Sequence, residues 1–262
     1  MTQLLLIFSL LFATNCALLK KEIRIYSGDK SGTFFSVATK ICDEFNQKSA
    51  AQNQRFFCRA RTSKGSLENL FKIKDEPDSF SIIKAPQFYQ QTTNINFDFT
   101  KIIIIKKTHD EFLTILVNKN AKINSLKDLK NKRVNIGYFG SGNRILIEKY
   151  FKEFSITPAK IFDFGATQSF AALKNNEIDA WIYFIGHPNA GYADLLSDHN
   201  FKIISLTNRE IKNFQSLTKI FQKTDLDLKK FYNINEKIRT ISSETFLAGG
   251  AEVEEKAIEI IK

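Results

Sequence analysis

The chain alternates between two hydrophobic periods. From Glu22 to Tyr26 apolar and polar residues alternate one by one, the period of a strand. After the turn SGDKSGT the period lengthens, and Phe34, Val37, Ala38, Ile41, Cys42 and Phe45 fall on one face of a helix. The rhythm then repeats. Phe56 to Arg61 predicts a second strand, and the turn TSKGS opens a short helix carrying Leu67, Leu70 and Phe71. Phe80 to Ile83 predicts a third strand, and Pro86 suits the first turn of a further helix. Strand, turn and helix in repetition imply a mostly parallel sheet with helical crossovers.

A β-rich stretch interrupts this rhythm, with one strand predicted at Phe99 to Lys106 and another at Phe112 to Val117. A second series follows. Arg133 to Gly137 predicts a strand, and the turn YFGSGNR opens a helix with Ile147, Tyr150, Phe151 and Phe154 on one face. A strand near Ile161 to Phe164 and a helix at Thr167 to Asn175 come next. The nearly continuous apolar run from Ile178 to Ile185 suits a buried strand. Past Phe201 to Ser205 the pattern becomes helical and more polar, with Ile211, Phe214, Leu217 and Phe221 on one face. A strand-like Arg239 to Leu247 and a helix from Glu252 complete the chain. Two strand–helix series joined by extended segments predict two lobes. Residues 22–112 and 206–262 form the first, and residues 113–205 are inserted as the second.

The N-terminus stands apart. Leu4 to Ala13 reads LLLIFSLLFA, the length of an export signal and short of the ~20 residues of a spanning helix. It predicts a signal peptide at residues 1–17, cleavage near Ala17 and a periplasmic or otherwise extracytoplasmic protein. An uncleaved anchor, lipidation at Cys16 and a buried N-terminal element are the alternatives, because no Lys or Arg precedes the run. Cys42 and Cys58 would remain, read first as two small buried hydrophobes and second as a disulfide permitted by an oxidising compartment.

Net charge is +10, yet the lysines are scattered and no aromatic residues interleave with them as a stacking platform. Nucleic acid is therefore not an expected partner. The three histidines form no HExxH, no GxSxG is present, and the carboxylates show no recognisable acid–base pair. An enzyme is not expected, and neither is a cofactor or metal.

The candidate chemistry lies in three turns: Ser27–Thr33, Thr62–Ser66 and Gly140–Arg144. Each follows a predicted strand, opens a predicted helix and combines Gly with Ser, Thr or Asn. Free N–H groups and the positive dipole end at such starts suit an anion, and in open α/β sheets they gather at the strands' C-terminal edge. Taken singly, each is an ordinary helix cap. A fourth segment, Ile185–Gly191, ends the apolar strand and carries His187.

In this order the segments SGDKSGTFF, TSKGSLENL, Ile83-Lys84-Ala85, INSLKDLKNKRVNIGYFGSGNR and DAWIYFIGHPNA resemble the TAXI family of solute receptors, which serve tripartite TRAP-type transporters. The resemblance runs from about Ile23 to Leu206. It implies a class II periplasmic-binding-protein fold: α/β, two lobes, each a mixed, mostly parallel sheet flanked by helices. It also implies a receptor for a small anionic solute, a glutamate-like amino acid or a dicarboxylate, with the transporter's membrane subunits as partner. A receptor for another transporter type, or a stand-alone sensor, is the alternative. Carried onto matching positions, the ligand would meet Ser31, Thr33, Phe34, Ser63, Gly65 and Ser66 from one lobe. From the other it would meet Ser141, Gly142, Asn143, Arg144, Gly186, Pro188 and Asn189, with His187 beside them. Lys84 stands where the family commonly has a neutral polar residue, which favours an acidic solute; Arg144 is expected to hold a carboxylate bidentately. The chain stops at Lys262, where family members usually continue with further helices.

Overall fold

A computed structural model describes residues 20–85, 88–90, 95–198 and 200–262. The apolar run with its cleavage site and Cys16, and Pro86, lie outside the described residues.

The first strand–helix series forms β1 (Lys21–Tyr26), α1 (Thr33–Ala51), β2 (Phe56–Arg61), α2 (Ser66–Asp75) and β3 (Phe80–Lys84). The second forms β5 (Arg133–Asn135), α3 (Gly142–Glu153), β6 (Lys160–Phe162), α4 (Ala166–Lys174), β7 (Ala180–Ile185), α5 (Ala190–Ser197) and β8 (Phe201–Ile203). Between them runs β4 (Ile102–Asn118). After β8 come α6 (Asn208–Leu217), β9 (Gln222–Asp227), α7 (Leu228–Tyr232), β10 (Lys237–Gly250) and α8 (Glu255–Ile261).

β4 and β10 hold the sheet together. The hydrogen-bonded order is β2-β1-β3-β10-β4-β7-β5-β6, with β8 beside β4 and β9 beside β10. β1 is parallel to β2 and β3, β5 is parallel to β6 and β7, and β10 and β4 run antiparallel to their neighbours. β10 pairs with the first part of β4, and Phe112–Val117 of β4 pairs with β7. The sequence predicts two strands here because KKTHDE breaks the apolar run; the structure has one. Its polar middle is satisfied in place: Lys107 pairs with Asp110 and Glu244 at 2.8 Å each, and Thr108 Oγ1 meets Thr245 Oγ1 at 2.8 Å. The result is an α/β fold, a mixed sheet flanked by helices.

Three apolar clusters pack on this frame. One joins α1 and α8 through Ile25, Phe45, Phe80 and Ile260. A second surrounds Trp181 and Tyr192 with Leu195, and Leu226, Leu228 and Ile238 join it from β9, α7 and β10. The largest runs from Leu70 and Ile73 of α2 through Ile115 and Phe184 to Tyr150 and Phe214. Full burial of each such side chain is worth about 1.5–3 kcal/mol. α6, β9 and α7 pack on the second strand–helix series, and α8 packs on α1. β9 and α7 went unpredicted because QKTDLD has one buried residue, Leu226, and reads as polar linker. Phe221 falls outside α6 yet is buried, stacked on Phe184 at 5.1 Å.

Cys42 and Cys58 form a disulfide joining α1 to β2, which corrects the reading of two independent buried hydrophobes. The contact is imposed by polar clamps. Asn46 Nδ2 donates to the Cys58 carbonyl (3.1 Å) and its Oδ1 accepts the Cys58 N–H (2.7 Å), while Ser49 Oγ donates to the Phe56 carbonyl (2.9 Å).

Candidate solute-binding site

A cavity of about 40 Å³ lies where β1, β3, β5 and β7 end and α1, α2, α3 and α4 begin, room for a few water molecules at ~10–15 Å³ each. Its walls include Asp29, Thr33, Phe34, Gly65, Ser66, Ser141, Gly142, Asn143, Ala166 and Tyr183, with Lys84 and Glu111.

Four helices start on this cavity. α1, α2 and α4 begin on Gly32, Gly65 and Gly165, and no side chain of their own N-cap covers their first N–H groups. α3 begins on Ser141, whose Oγ accepts the Arg144 N–H. Gly65 needs its lack of side chain, since its φ is +108°. Two asparagines hold the starts in register with the strand ends. Asn69 Nδ2 donates to the Ser27 and Ile82 carbonyls, at 2.5 and 2.8 Å. Asn143 Nδ2 donates to those of Ile136 and Ile182, at 2.7 and 3.2 Å, and its Oδ1 accepts the Phe184 N–H. Asn143 therefore braces the wall and has no bonding capacity left on its amide N–H groups for a ligand. Ser66 Oγ accepts the Lys84 N–H at 2.7 Å and also bonds the Tyr89 hydroxyl.

Lys84 does not offer an unmatched cation. Its ammonium is ion-paired to Glu111, the two side chains are 3% and 6% exposed, and Ser243 Oγ is 3.4 Å away. The ammonium also lies 4.6 Å from the Phe184 ring centroid. Burial pushes the Glu111 carboxyl up, against the pull of Lys84. The sequence expects Lys84 to favour an acidic solute; in the structure its charge is balanced within the pair. Glu111 is not legible as a site residue in the sequence because KKTHDE reads as a break between strands, whereas it lies within β4.

Arg144 pairs within its own helix. Its Nε donates to Glu148 Oε1 at 2.7 Å, its guanidinium stands over Phe139, and it is not among the residues lining the cavity. Helix periodicity carries it to the flank, where Glu148 sits one turn on.

The remaining predicted residues gather beside the cavity, bonded to one another across it. Thr33 Oγ1 donates to the Gly186 carbonyl (2.7 Å), Asn189 Nδ2 to the Ser31 carbonyl (2.8 Å), and Ser31 Oγ meets Thr167 Oγ1 (2.9 Å). Ser63 Oγ turns away to Asn69 Oδ1 (2.6 Å). Pro188 follows a cis peptide bond. His187 is a packed residue, bonded through Nδ1 to the Tyr232 hydroxyl, and burial holds its pKa down at about 3. Another histidine, His109 of β4, stands edge-on to Phe34 at 5.6 Å, with Nδ1 3.0 Å from Thr245 Oγ1. Burial, then the charge of Lys84, lowers it to about 4. Among the described residues no cluster of His, Cys, Asp and Glu could hold a metal ion, and no helix is long and apolar enough to cross a membrane.

This is the fold of periplasmic-binding-protein-like solute-binding proteins, and the cavity lies at the strand ends. An ancestral arginine-binding protein bound to arginine is similar over 93% of this chain and 90% of its own, at 13% identity and a TM-score of 0.57. The R. palustris protein Rpa4515 with adipate matches over 92% and 80%, at 13% identity and a TM-score of 0.56. The substrate-binding protein of an amino acid ABC transporter matches over 92% and 90%, at 11% identity and a TM-score of 0.54. At such identities the likeness is one of fold. Residues 25–262 match the NMT1-like family, and the chain belongs to it.

Proposed function

We propose that this protein is an exported receptor, not an enzyme, that captures a small carboxylate-bearing solute in the cavity at the starts of α1–α4 and hands it to a membrane transporter. The observation that carries this reading is the convergence of three glycine-started, side-chain-uncapped helices on one cavity. Each such start favours an anion by ~0.3–1 kcal/mol when exposed, and by more when partly buried. An amino acid or a dicarboxylate fits these starts. With Lys84 neutralised by Glu111, the backbone and Lys64 at the rim supply the attraction.

The receptor would consist of two lobes that close on the solute. The first holds β1–β3, α1, α2, α8 and the outer parts of β4 and β10; the second holds the remainder, from Phe112 to about Ser242. Export fits the disulfide, which is stable in an oxidising compartment, and cleavage near Ala17 would release the mature chain. A TRAP-type transporter is the partner that the turn motifs favour. A receptor for an ABC-type importer is the second reading, favoured by the structural likeness to such binding proteins.

Titration calorimetry with amino acids, 2-oxoglutarate and other dicarboxylates, sugars and cations tests this reading. Carboxylates should bind and sugars and cations should not. Binding of sugars alone would end the anion reading. Because Arg144 lies off the cavity, Arg144→Ala should change affinity less than about twofold, whereas a tenfold loss (~1.4 kcal/mol) would return Arg144 to the site.

A further inference from the structure

We propose that Asp29 is an internal anion that latches the two lobes together by accepting hydrogen bonds from Thr167 and Tyr138 of the opposite lobe. α4 begins on Gly165 with no cap from its own side chains. Asp29, in the turn after β1, stands beside that start. Its Oδ1 accepts from Thr167 Oγ1 at 2.8 Å, and Tyr138 directs its hydroxyl to Oδ2 at 3.4 Å. A Cβ at Gly165 would come within 2.6 Å of Asp29 Oδ2, so the missing side chain lets the carboxylate approach the helix start. Asp29 is held in this pose from its own side, where Oδ1 accepts the Ser31 N–H at 3.0 Å. Donors from two elements of the second lobe thus converge on one carboxylate of the first. The neighbouring cross-cavity bonds, Thr33 to Gly186 and Asn189 to Ser31, are between neutral groups. A charge-assisted bond at a helix start is the stronger kind.

Asp29 and Ala166 both line the cavity. Asp29 is thus a positioning residue that fixes the population of the closed form.

The inference rests on the two-lobe reading but not on any ligand. Small-angle X-ray scattering is measured on protein unfolded, dialysed and refolded to remove solutes, for wild type, Asp29→Ala and Thr167→Val. The wild-type curve should match the closed structure. Both variants should show a larger radius of gyration, with the open-to-closed ratio raised roughly tenfold. Circular dichroism checks folding; if Asp29→Ala does not fold, Thr167→Val, which removes a donor from the other side, decides. A wild-type curve already larger than the closed structure, or a folded variant with unchanged dimensions, overturns the proposal. Failure of every carboxylate to bind would leave the scattering result standing.

Discussion

Lys84 and Glu111 show how much one partner changes the meaning of a residue. A buried ion pair gains little net stability, but removing one member strands the other charge at a cost of about 3–5 kcal/mol. Lys84→Met should therefore lower the unfolding free energy by roughly that amount in urea titrations. The double variant Lys84→Met/Glu111→Leu should recover most of the loss, and equal losses in both would mean that the pair is not coupled. His109 gives a pH signature. Its folded pKa of about 4 lies below the ordinary histidine value of 6.5, so the unfolded chain binds more protons between these values. Its contribution is full above pH 6.5 and is lost as pH falls toward 4, up to about 3 kcal/mol in all. The difference in melting temperature between wild type and His109→Asn should shrink over that window, and a pH-independent difference would refute it. At this scale the turns were legible and the partners were not. Gly-Ser-Thr spacing marks a helix start within a few residues. Pairing Lys84 with Glu111, or turning Arg144 toward Glu148, depends on where β3, β4 and α3 meet.

Among the elements, the helices were read well because each buries one face at a 3.6-residue period: Phe34, Ala38, Ile41, Cys42 and Phe45 are all buried on α1. The strands were read where apolar residues dominate and missed where polar ones do, as in β9. β4 was split because its middle meets ionic and hydroxyl partners instead of apolar ones. The disulfide closes a loop of sequence separation 16 between α1 and β2. Constraining such a loop in the unfolded chain is worth about 3 kcal/mol. Cys42→Ala/Cys58→Ala, or reduction under native conditions, should shift the urea midpoint down accordingly, and an unchanged midpoint would show that Asn46 and Ser49 alone hold α1 on β2.

Across the whole molecule, β4 and β10 are the long strands that pass from one strand–helix series to the other, and they interrupt their own pairing between Glu244 and Phe246 and between Leu247 and Ala248. Bulges bend and twist a strand locally, which suits a hinge. On the proposed function, the cavity between the series holds the solute. This is tested most directly by native mass spectrometry of the protein purified without unfolding, beside Ala166→Trp, whose indole would fill the space between the helix starts. Wild type should carry a small carboxylate near one-to-one, and the folded variant should carry none. The same solute retained at the same occupancy by the folded Ala166→Trp protein would contradict the account.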